Sequence, residues 1–97
     1  MRYAVLFTDD PARSDARTRL MPDHLAFLAV HAGEVLAAGP LLRPDGSAAG
    51  GLWLVEAETD EHVRRLVEAD PFWSTGLRAQ VTILEWRRVF ADGRALI

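Results

Sequence analysis

Any proton chemistry in this chain must do without cysteine and lysine, since it contains neither. Without Cys there is no thiolate nucleophile, disulfide or cysteine-ligated metal site, and without Lys there is no Schiff base and no phosphate-loop lysine. All 11 basic residues are Arg, whose guanidinium stays charged and binds anions rather than accepting protons. Catalysis is left to three His, 14 Asp and Glu residues, hydroxyls or a borrowed cofactor.

Among the carboxylates, Asp70 is singled out by its spacing. Val63, Leu66 and Val67 mark the apolar stripe of a helix, and the next position on that stripe, seven residues after Val63, is Asp70. A carboxylate at a helix C-terminus meets the negative end of the helix dipole, so a cation or strong donor must stand near it. Its structural alternative is to cap a short helix starting at Pro71. Both roles are compatible, since one oxygen can accept from backbone while the other holds a partner.

His24 is the natural partner. Read on a helix starting at Pro22, it lies about 100° from Leu25, at the edge of the core stripe. In that first turn the positive helix end favours the neutral imidazole that a general base needs. The plain alternative is a structural or surface histidine. His31 lies about 10.5 Å further along the same axis, too far to share a metal with His24. His62, early in the next helix and off its stripe, reads as solvated, so no metal site is expected. Arg17 and Arg19, shortly before Pro22, are candidates to bind an acidic substrate or Asp70, against the plain reading of a solvated helix face. Gly39 ends a strand where a ligand or another backbone could come close, and Phe72 and Trp73 would shape the pocket.

The elements that must position these residues follow from periodicity and turn chemistry. Tyr3–Phe7 reads as a strand stopped by Thr8-Asp9-Asp10-Pro11. A loose turn or two from Ser14 precedes a firm helix from Pro22 to His31 or Ala32, closed by Gly33, with Leu25, Leu28, Ala29 and Ala32 as its core stripe and Ala26, Phe27 and Val30 on the far side. Glu34–Leu42 and Leu52–Ala57 form a hairpin across a turn-rich connector. Thr59 caps a helix running to about Ala69, a short helical turn passes through Trp73 to Gly76, and Gln80–Phe90 is a long last strand. The order is that of a ferredoxin-like βαββαβ domain of the α+β class, with an antiparallel sheet.

The last strand carries large apolar residues on both faces: Val81, Ile83 and Val89 against Leu84, Trp86 and Phe90. Helices cover one face only, so a second copy is expected to cover the other, making a homodimer. The 97 residues fit a single domain spanning 1–97, and a net charge of −3 offers no basic footprint for nucleic acid. No apolar run approaches the roughly 20 residues of a membrane span, and the first residues lack a signal peptide's cleavage region. No membrane partner is expected, and the expected location is cytoplasmic.

Pro22-Asp23-His24-Leu25, Ala38-Gly39-Pro40 and Asp70-Pro71-Phe72, in this order and spacing, resemble the YCII-related (YciI-like) family over nearly the whole chain. The resemblance implies a ferredoxin-like domain that dimerises into an α/β barrel, with a His and an Asp as a catalytic pair; by motif these are His24 and Asp70. It implies further that some members act as lyases removing halide from chlorinated aromatic diols. The family often has Arg directly before the proline of Pro-x-His-Leu, where this chain has Met21, shifting any anion-binding duty toward Arg17 or Arg19. The expectation is therefore a small-molecule enzyme of lyase or hydrolase type without a required cofactor. The alternative is a non-catalytic dimeric module that binds a small-molecule ligand.

Overall fold

The computed structural model describes residues 1–97. Its elements are strand β1 (Arg2–Asp9), helix α1 (Ser14–Val30), strands β2 (Val35–Leu42) and β3 (Ala48–Glu56), helix α2 (Asp60–Ala69), strand β4 (Arg78–Glu85) and two short strands, β5 (Phe90–Ala91) and β6 (Arg94–Ala95). The four long strands form one sheet in the order β2-β3-β1-β4, and every neighbouring pair is antiparallel. This is the expected ferredoxin-like α+β architecture.

Strand alternation builds the core. Tyr3, Val5 and Phe7 of β1 and Trp53 and Val55 of β3 point to the helix side, where they meet Val63, Leu66 and Val67 of α2. The three α2 residues recur at helical spacing, and Thr59 caps the helix by accepting from the His62 N–H at 3.2 Å. A smaller cluster of Ala16, Phe72 and Leu77 lies beside it. On the opposite face the pairings Leu6–Leu52, Ala4–Leu54 and Ala4–Leu84 leave an apolar surface, with Leu84 51% exposed.

Three sequence expectations are corrected. Helix α1 runs unbroken through Pro22. Proline withholds one N–H and crowds the carbonyl four residues back, but the surrounding Ala, Leu, Met and Arg are strong helix formers, and a single face of the helix packs on the sheet. That face consists of Ala16, Leu20, His24, Phe27 and Leu28, so Phe27 turns inward while Leu25 and Ala29 are exposed. Helix α1 ends at Val30, capped by His31 rather than by Gly33.

Strand β4 begins two residues early, at Arg78, and stops at Glu85 because β1 supplies no partner beyond Arg2. Phe90–Ala91 then pairs with Arg94–Ala95 across Asp92-Gly93, both at positive φ, the preference of a two-residue hairpin turn. No helix is long and apolar enough to cross a membrane.

Two glycines of the hairpin differ in what they do. Gly50 has φ +135°, and a Cβ there would stand 1.8 Å from the Phe7 carbonyl oxygen. Around Gly39 there is nothing within 4 Å of an added Cβ, so no neighbour within this chain requires glycine there. Gly50→Ala is expected to destabilise by more than about 1 kcal/mol, whereas Gly39→Ala changes stability by less than about 1 kcal/mol, read from urea unfolding midpoints.

Candidate active site

Helix α2 ends at Ala69 and the chain turns at Asp70, whose φ of −66° and ψ of 136° leave the helix. The turn places a carboxylate where the apolar stripe would continue, and its side chain has no exposure. Oδ1 accepts from the Phe72 N–H at 3.2 Å and lies 2.9 Å from His24 Nδ1. Oδ2 lies 2.5 Å from Arg78 Nη1 in an ion pair that is close but not aligned as a hydrogen bond. Asp70 is therefore both cap and partner, and the cation demanded by its position is Arg78.

Burial by itself would raise the Asp70 pKa, but the hydrogen bond from His24 and the charge of Arg78 hold it below the ordinary carboxylate value. An ionised carboxylate only accepts, so His24 donates through Nδ1–H, and in the neutral ring the nitrogen left without a proton is Nε2. Nε2 has no partner within the protein. The imidazole stacks on Phe72, ring centroids 4.3 Å apart at 23°. Because α1 is continuous, His24 sits in mid-helix, and the favourable first-turn dipole expected from the sequence is absent. The Asp70 hydrogen bond selects the tautomer instead.

His24 borders a cleft of about 130 Å³ between α1 and the sheet, together with Asp9, Arg17, Arg78 and Trp53. The size is comparable to the roughly 150 Å³ of an engineered cavity that holds benzene. Arg17 and Gly39 line the cleft as expected from the sequence, and Met21 lines it where the resemblance led to an Arg. Arg17 pairs with Asp9, whose Oδ1 is buried without a hydrogen bond.

Other expected site residues lie elsewhere. Arg19 is exposed because its position faces away from the sheet. Trp73 packs against the core under Arg64, whose guanidinium lies 5.7 Å from its ring centroid. Phe72, fully buried, forms the floor under His24 rather than a wall of the cleft. Asp70 likewise stands behind the imidazole and does not line the cleft. His62, expected to be solvated, pairs with Glu34, as does His31 at 3.3 Å. Hydrogen bonding by His62 and then by His31 lowers the Glu34 pKa.

The sequence reading missed Arg78 and Asp9. Val81 and Ile83 pair with Phe7 and Val5 on the helix side, and simple alternation from them would turn Arg78 outward. A bulge leaves Ala79 unpaired, shifts the phase by one and brings Arg78 opposite Asp9 on the helix side.

A sequence model of the YCII-related domain matches residues 1–87. The chain belongs to the YCII-related family. This YCII-related domain is also similar to a solved structure, the 5-chloro-2-hydroxyhydroquinone dehydrochlorinase from Burkholderia phenoliruptrix AC1100 in complex with 2,5-dihydroxybenzoquinone. The two share 28% identity over 90% of this chain and 94% of that one, with a TM-score of 0.78. A comparison with curated protein sequences finds no match.

In the YCII-related domain described here, the buried Asp70 generates a pH signature. Its folded pKa is lowered from an unfolded value of about 3.9, so its stabilisation is complete above that value and is lost as pH falls through the folded one. Asp70→Asn, which strands Arg78 without its counter-ion, is expected to destabilise by about 3 kcal/mol near neutrality. The gap to the wild type should narrow below about pH 4, and urea unfolding across a pH series checks both parts.

Proposed function

We propose that this protein is a small-molecule enzyme of lyase or hydrolase type in which His24 Nε2 transfers the proton and Asp70 positions the imidazole. The observation that carries this is the commitment of Nδ1 to a buried, ionised carboxylate. It leaves Nε2 as the basic nitrogen of a residue that borders the cleft. The imidazolium formed on proton uptake is stabilised by the same carboxylate, the division of labour familiar from His-Asp pairs.

Support for a lyase comes from the dehydrochlorinase relative. In such a step the base takes a proton from a substrate O–H or C–H, and the electron pair left behind expels the leaving anion, chloride for a chlorinated substrate. Proton transfer of this kind needs no cofactor beyond the imidazole. The cleft favours a polar aromatic or anionic metabolite: its size suits one ring, Phe7 and Trp53 offer aromatic surface, and Arg17 and Arg78 offer positive charge. The test is chloride release from 5-chloro-2-hydroxyhydroquinone, extended to turnover of a metabolite pool. His24→Ala should lower the rate by about 10²–10⁴-fold while ligand binding persists. Binding with no turnover by either protein would instead favour the ligand-binding module.

The working form is proposed to be a homodimer closed into an α/β barrel. The support is the apolar sheet face, where Leu6, Leu84 and their neighbours lie opposite the helices. Covering that face removes apolar surface from water at roughly 25 cal/mol per Å². Sedimentation should find the wild type dimeric at micromolar concentration and Leu84→Glu monomeric; a monomeric wild type refutes the assembly.

A further inference from the structure

Arg78 combines features that an ordinary ion-pair arginine lacks. Its side chain is only 5% exposed. The guanidinium carbon lies 4.0 Å from the ring centroid of Phe7, 5.0 Å from that of Trp53 and 5.4 Å from that of Phe72, so aromatic faces surround the cation. Asp70 meets Nη1, and Nη1 is the one guanidinium nitrogen that is sealed from solvent. Nε and Nη2 have no partner in the protein yet are reached by solvent, and the cleft containing His24 is the cavity that Arg78 borders.

Aromatic rings stabilise the charge without using N–H donors, because a quadrupole attracts the cation through its face. The donors along the guanidinium edge are thus kept for something else. Arg17 differs: it is more exposed and its charge is taken up by Asp9. With two Arg and two Asp around the cleft the fixed charges cancel, so an incoming anion is selected by free donors rather than by net charge.

We propose that Arg78 is an oxyanion receptor, binding through Nε–H and Nη2–H an ionised hydroxyl or carbonyl oxygen of an aromatic or quinonoid substrate beside His24. This rests on the cleft being the substrate site and narrows the substrate class to rings bearing an ionisable oxygen. When a substrate O–H bond breaks, its proton goes to His24 Nε2 and the electron pair stays on the oxygen facing Arg78. No other bond changes in that step.

The experiment titrates 4-nitrocatechol, whose visible absorption separates its ionised from its neutral form, with its dimethyl ether as a probe that cannot ionise. The wild type should bind the ionised form about 10–100-fold more tightly than the neutral one, the range of a charge-assisted hydrogen bond. Arg78→Met should abolish that preference while the ether still binds, and Arg78→Lys should weaken the preference at least about ten-fold, since one ammonium cannot reproduce the fork. Asp70→Asn should keep or strengthen the preference, because the guanidinium loses its competing anion. If Arg78 serves only to neutralise Asp70, the Asp70→Asn and Arg78→Met variants lose the preference together, and that result overturns the proposal. So does a wild type that binds the ionised probe no better than the ether, or not at all. Should Arg78→Met fail to fold, Asp70→Asn with Arg78→Met removes both charges at once and takes its place. His24→Ala should retain the preference, so failure of the proton-transfer role leaves this test able to decide.

Discussion

A single buried carboxylate organises the cleft side of this molecule. Asp70 takes two hydrogen bonds on one oxygen, from His24 and from the Phe72 backbone, and meets Arg78 on the other. Each partner comes from a different element: α1, the turn after α2, and the start of β4. A charge removed from water must be paired and hydrogen-bonded or it neutralises. That constraint draws three separate elements together at one point.

The aromatic residues make the arrangement tolerable. Phe7 and Trp53 belong to the main core, Phe72 to the smaller cluster, and Arg78 lies across all three rings. They form a wall that excludes water from the Asp70 side, strengthening each electrostatic contact there, while the cleft side of His24 remains open. In the proposed reading the carboxylate orients, the imidazole takes the proton and the guanidinium binds. Burying an ion pair seldom raises stability relative to apolar packing, which is consistent with the chemistry proposed for the site.

Much of this was legible in the chain. The missing Cys and Lys narrowed the reactive groups, the interrupted stripe pointed to Asp70, and the βαββαβ order followed from turns and periodicity. The corrections have local causes. Pro22 reads as a helix start, but tertiary packing of Ala16, His24 and Phe27 carries the helix through it. That phase change exposes Leu25 and turns His24 into the buried face, where periodicity had put it at the edge. Arg78 stayed hidden because a one-residue bulge inverts strand alternation, and nothing in residues 76–81 marks where a bulge will fall.

What the sequence determined by itself is the inventory and the framework: one candidate histidine near the core, one carboxylate on an apolar stripe, an antiparallel sheet with helices on one side. These rest on local rules, residue type and period, which act over a few neighbours. The tertiary structure decided which cation answers Asp70, which nitrogen of His24 is left basic, and which of Arg17, Arg19, Phe72 and Trp73 reach the cleft. His24 and Asp70 are 46 positions apart, and a contact across such a separation depends on strand register and helix phase together. A shift of one residue in either reverses which side chains face inward, so only the folded chain could supply the answer.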